Sequence, residues 1–99
     1  MSMDSVHRFI VAYDVRDDLR RTRVAKLLES YGDRAQYSLF LVDLKPARLV
    51  KLKTRLRGLL DSDDSVFVCD LGPLSHGGTH RIEFIGPRRP ITGAGPLVY

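Results

Sequence analysis

Arg8-Phe9-Ile10-Val11-Ala12-Tyr13-Asp14-Val15 is the stretch on which the fold turns. Its apolar run is continuous rather than alternating, which predicts a strand buried on both faces and therefore central in its sheet. The run stops at a carboxylate. A strand fixes its terminal side chain better than a loop does, and aspartate is the hard oxygen ligand that Mg²⁺ requires, so Asp14 is a candidate metal ligand.

Working outward, Asp17 or Asp18 is placed to cap a helix whose apolar positions Val24, Leu27, Leu28 and Tyr31 follow i, i+3, i+4, i+7 spacing. Gly32 then reads as a left-handed stop. From Arg34 to Leu44 the pattern is extended, Tyr37, Leu39 and Leu41 alternating against Gln36, Ser38, Phe40 and Val42, and periodicity alone gives one long strand. Pro46 suits the first turn of a second helix, with Leu49, Leu52, Leu56, Leu59 and Leu60 as its apolar stripe. The opposite face reads as basic: Lys45, Arg48, Lys51, Lys53, Arg55 and Arg57, with no acid from Lys45 to Leu60.

Further on, Asp61-Ser62-Asp63-Asp64 reads as a turn, Val66 to Leu71 as a strand, Gly72 to Gly78 as a loop and Arg81 to Ile85 as a strand. The Pro/Gly-rich tail ends in Leu97-Val98-Tyr99, which suits an edge strand added to another chain. Two helices among short strands predict an α+β sandwich with both helices on one sheet face. The other face then needs cover. Phe40, Val42 and the tail are the expected cover, joining a homodimer sheet to sheet.

The chain has 99 residues, 43% of them hydrophobic and 28% charged, which fits one globular domain over 1–99, with a core of about 7–86 and a dimerisation tail of about 87–99. Net charge is +4, which favours polyanionic partners without selecting one. The lone Cys69 excludes an internal disulfide framework, and it reads as a small buried hydrophobe. No signal-like segment precedes His7 and no apolar stretch approaches the ~20 residues that span a bilayer, so the expected location is cytoplasmic, without a membrane partner.

The chemical signals differ in strength. Asp14 by position alone is either a turn residue or a ligand; two copies of it across a two-fold axis would supply the two carboxylates that Mg²⁺ commonly takes. Asp17 and Asp18 are accounted for as caps. Arg20, Arg21 and Arg23 point in three directions and cannot share one ligand. The basic face of the second helix suits a polyanion track or a solvated surface. His7, His76 and His80 lack zinc spacing, Gly77-Gly78 lacks the lysine and helix of a phosphate loop, and no nucleophile elbow occurs.

Tyr13-Asp14-Val15 with Asp17-Asp18, Arg21-Thr22-Arg23-Val24-Ala25-Lys26-Leu27-Leu28, Tyr31-Gly32, Arg34-Ala35-Gln36-Tyr37-Ser38-Leu39-Phe40 and Asp64-Ser65-Val66 together resemble the CRISPR-associated Cas-two family, in order and spacing from about Phe9 to Gly86. The resemblance implies a ferredoxin-like βαββαβ fold, a symmetric dimer and a C-terminal strand laid on the partner. It also implies two strands within Arg34 to Leu44, turning near Gln36 to Ser38. Its implied functions are metal-dependent endonuclease action (Mg²⁺, or Mn²⁺) on single-stranded RNA or double-stranded DNA, and spacer acquisition with the Cas-one integrase. The alternative is a non-catalytic DNA-binding scaffold of the integration complex. By position, Asp14 matches the metal-coordinating aspartate and Tyr13 its catalytic neighbour. Arg21, Arg23 and Arg34 match nucleic-acid contacts, and Ser38 and Phe40 the supporting motif.

Overall fold

In the computed structural model, residues 5–74 and 82–86 are described. The chain runs β1 (His7–Asp14), α1 (Asp18–Glu29), β2 (Gly32–Gln36), β3 (Leu39–Leu44), α2 (Pro46–Leu59) and β4 (Ser65–Pro73). The sheet order is β2-β3-β1-β4 with every pairing antiparallel. This is the ferredoxin-like βαββαβ sandwich, and β1 occupies the central position its apolar run predicts. Among the described residues no helix is long and apolar enough to cross a membrane.

Period-two alternation assigns β1 to two environments. Phe9, Val11, Tyr13 and Val15 enter the core with Phe40, Val42 and Leu44 of β3, beneath Val24, Leu27 and Leu28 of α1 and Leu49, Leu52 and Leu56 of α2. Ile10 and Ala12, opposite Leu41 and Leu39 and beside Cys69 and Phe67, form the other face. On that face the Arg8 guanidinium makes a two-pronged pair with Asp43, at 2.7 and 2.8 Å. Phe40 and Val42 therefore do not cover the open face; they are fully buried against the helices. Cys69 is half-buried on the open face rather than in the core.

The extended stretch is a hairpin, as the family resemblance implies and periodicity does not. Tyr37 and Ser38 form its turn, and a register shift between Arg34 and Gln36 breaks the alternation that would otherwise carry a single strand. Gly32 is no left-handed stop. Helix α1 ends at Ser30 in right-handed geometry, and Gly32 opens β2. Its lack of a side chain serves close approach instead: a Cβ there would lie 2.9 Å from Val42 Cα and would run into the Leu41 backbone. A positive φ is required at Gly72, where β4 carries one extra residue opposite His7 to Phe9.

Ile82 to Ile85, expected as part of a strand, make no ladder; they lie over the open face near Ile10, Leu39 and Leu41. Arg81, most of the Gly72 to Gly78 loop and the C-terminal strand expected from the tail lie outside the described residues.

Candidate nucleic-acid and metal site

Asp17 caps α1, its carboxylate accepting the Arg20 backbone N–H at 2.9 Å, so α1 starts immediately after the strand that ends in Asp14. Neighbouring side chains on a strand point to opposite faces, and Tyr13 and Asp14 obey this rule. Tyr13 is 6% exposed in the core. Asp14 is exposed on the open face, paired in register with Ser65, and its side chain has no partner among the described residues. The two halves of the expected catalytic pair thus sit back to back.

Tyr13 helps build a stack. Its ring packs on Phe40 with centroids 6.2 Å apart, and the Arg34 guanidinium lies 5.2 Å from the centre of the Phe40 ring. The Tyr13 N–H donates to Ser38 O at 3.0 Å, tying the hairpin turn to the end of β1. Phe40 and Ser38 therefore act as supports: one is a platform for a cation, the other supplies a backbone anchor.

Arg34 and Arg21 line the same cleft of about 320 Å³ between α1 and the hairpin, together with Lys26, Tyr37 and Tyr13. The Arg21 guanidinium donates to Val15 O at 2.9 Å and pairs with Asp18. The Arg34 Nε is buried with no hydrogen-bond partner among the described residues. Arg23 does not join this group. Two residues along a helix means about 200° of rotation, so Arg23 projects away from Arg21 and stays exposed.

Asp64 is the organising residue that sequence reasoning passed over as part of a turn. Its side chain is shielded from solvent and accepts from Arg20 Nε at 2.8 Å, Arg16 N at 3.2 Å and Asp61 N at 2.9 Å. The Arg20 hydrogen bond, helped by the two backbone N–H groups, holds the Asp64 carboxyl well below the usual carboxylate range. One side chain thereby fastens the β1–α1 loop, which follows directly on Asp14, to the entry of β4. The available signal was register: a strand antiparallel to β1 must begin beside Asp14. At the far end of β1, His7 Nδ1 meets Asp70 at 2.9 Å. Burial pushes the Asp70 carboxyl up, but the His7 and Gly72 hydrogen bonds outweigh it and hold it low.

No three His, Cys, Asp or Glu side chains gather among the described residues. At the end of β1, Asp14 therefore offers a metal a single carboxylate, which suits a hard cation as one of several oxygen ligands.

The family model described as "CRISPR associated protein Cas2" matches residues 7–75. A CRISPR-associated endonuclease Cas2 of Thermus thermophilus is 49% identical, covering 90% of this chain and 84% of the relative. A CRISPR-associated endoribonuclease Cas2 from another strain of Thermus thermophilus is 41% identical over 81% of this chain and 86% of its own length. The crystal structure of Streptococcus pyogenes Cas2 superposes with a TM-score of 0.70 at 34% identity, covering 80% of this chain and 99% of that one. A chain of a partial Cas6-RT-Cas1–Cas2 complex superposes with a TM-score of 0.60 at 26% identity, covering 67% and 79%. The strand-end aspartate, the arginine cleft beside the hairpin and the six-element sandwich are thus carried by a chain that belongs to the CRISPR-associated Cas2 family.

Proposed function

We propose that this protein is a CRISPR adaptation protein that hydrolyses nucleic-acid phosphodiesters with a divalent cation, Mg²⁺ or Mn²⁺, held between the Asp14 side chains of two copies. The observation that carries this reading is the exposed, unpartnered Asp14 carboxylate at the end of the central strand, fixed in place by the Asp64 network. The names of the curated relatives, endoribonuclease and endonuclease, support the reaction class.

When bound, the cation would neutralise phosphate charge and acidify a water. The chain's own groups do the rest. Asp14 anchors the cation from a rigid strand end. Arg21 and Arg34 hold a phosphate of the same strand in the cleft on the other side of the sheet end, so the nucleic acid wraps around the end of β1. Phe40 and Tyr13 keep the Arg34 guanidinium flat and forward. Arg23, outside the cleft, meets a more distant phosphate. Dimerisation through the open face, where Phe67 is 62% exposed, brings the second Asp14.

The test compares wild type with Asp14→Asn on single-stranded RNA and double-stranded DNA, with and without Mg²⁺, reading cleavage and spacer acquisition from one preparation. Metal-dependent cleavage lost in the variant supports the reading; cleavage that survives the substitution overturns it. A second reading, a scaffold for Cas1 without required catalysis, draws on the likeness to a chain of a Cas1–Cas2 complex. It expects acquisition to persist in Asp14→Asn.

A further inference from the structure

Among the described residues, two aromatic side chains stand out in solvent, Tyr37 and Phe67, each 62% exposed. Their surroundings differ. Phe67 lies in register with Ala12 on the apolar open face. Tyr37 instead lines the cleft between α1 and the hairpin, whose walls also carry Arg21, Lys26 and Arg34 and where the small Ala25 leaves the space unfilled.

The position of that ring is built by the fold. Strand β2 returns along α1, so the hairpin turn comes back to the end of the sheet where β1 terminates in Asp14. There the Tyr13 N–H donates to Ser38 O at 3.0 Å, and the Tyr13 hydroxyl makes a long contact of 3.5 Å to Tyr37 O, so the core tyrosine holds both residues of the turn. The Arg21 guanidinium is held above its usual range by its hydrogen bond to Asp18 and, to a smaller extent, by Tyr37, which places the phenol beside that cation. Lys26 makes no ion pair among the described residues.

We infer that Tyr37 is a stacking platform for one unpaired base, whose own phosphate lies on the cations of the cleft, and that it makes this cleft selective for single-stranded nucleic acid. An exposed ring beside a positively charged groove is the combination that binds single strands, because every base offers a π-face whatever its sequence. A paired base has both faces covered by its neighbours and reaches such a ring only after unstacking, at a cost in free energy. The partly buried Tyr31 ring is not equivalent, since the Arg48 and Arg55 guanidinium groups already lie 5.8 and 5.9 Å from its centre. A cleft of about 320 Å³ is at the small end of ligand sites and suits a single nucleotide unit. This inference rests on the reading of Arg21 and Arg34 as phosphate contacts and deepens it by naming the strand class; it needs neither Asp14 nor a metal.

Affinity for a fluorescein-labelled single-stranded RNA, a single-stranded DNA and a DNA duplex of equal length is measured by fluorescence anisotropy in EDTA, for wild type, Tyr37→Ala and Tyr37→Phe. Self-association of each is followed by sedimentation equilibrium. Tyr37→Ala is expected to weaken both single strands at least about fivefold, the low end for losing one stacked base, and the duplex less than about twofold. Tyr37→Phe keeps the ring and should bind single strands within about twofold of wild type. Unchanged single-strand affinity in Tyr37→Ala overturns the inference, as does an equal loss on the duplex or a Tyr37→Phe variant as weak as Tyr37→Ala. A loss that tracks weakened self-association assigns Tyr37 to a contact between copies and overturns it as well. Because EDTA removes divalent metal, Tyr37-dependent binding without metal-dependent cleavage overturns the nuclease reading alone, and Asp14-dependent cleavage with binding that ignores Tyr37 overturns this inference alone.

Discussion

The two faces of β1 carry different duties on one backbone. The helix-side residues Phe9, Val11 and Tyr13 are almost completely buried, while Asp14 on the open side is exposed and Ile10 and Ala12 are half-buried. The contrast teaches that stability and chemistry are separated by a single step along the strand. A side chain on the helix side belongs to a packed core and tolerates little change. Its neighbour on the other side is open to a metal, a nucleic acid or a second copy.

The sharpest way to break this comparison is Phe9→Ala. Truncating a buried phenylalanine costs about 3–5 kcal/mol, so urea unfolding should show a large loss, against a much smaller one for Ile10→Ala; equal losses would erase the distinction between the faces. Next, Asp14→Asn should lower metal-dependent cleavage by at least about 100-fold, because a metal site supplies several kcal/mol of charge stabilisation. Its unfolding midpoint should stay close to wild type, as is usual for an exposed position. Phe67→Ser probes the open face as a dimer surface. Sedimentation equilibrium should show at least about tenfold weaker self-association, the effect of losing one well-buried interface aromatic, with monomer stability nearly unchanged. A variant that dimerises like wild type would move the interface elsewhere.

A subtler effect is expected at Asp64. Its folded carboxyl lies below the unfolded value of about 3.9, so the stabilisation it gives is complete above that pH and is lost as pH falls through and below it. Thermal melts from pH 5 to pH 2 should therefore fall less steeply in Asp64→Asn than in wild type, although the variant starts lower at pH 7. Parallel acid limbs would show that the Arg20–Asp64 pair is not coupled to folding.

Much of the architecture was legible from local periodicity. The unbroken apolar run placed β1 at the centre, and the leucine and valine stripes gave both helices with nearly correct bounds. The turn at Tyr37-Ser38 was invisible to pattern, because a tight hairpin with a register shift leaves alternation almost intact on either side. It came instead from the family resemblance. The open-face assignment of Phe40 and Val42 failed for a related reason. Alternation says which residues share a face but not which face meets the helices, and only pairing with Phe9 and Val11 decides it. The site was half legible: a carboxylate ending a buried strand stands out, and helix geometry separates Arg21 from Arg23, whereas which of the two faces the cleft follows only once the hairpin is packed against one side of α1.

By itself, then, the sequence determined the elements and the presence of a carboxylate where the central strand ends, since burial periods of two and 3.6 residues are properties of the backbone written directly into residue order. Tertiary structure alone decided that Asp64 would clamp Arg20 and Arg16 from 44 and 48 residues away. It also decided that Arg21 and Arg34 would share a cleft. Those outcomes depend on register and packing between distant segments, and no local pattern encodes the distance between two side chains that meet only after the chain has folded.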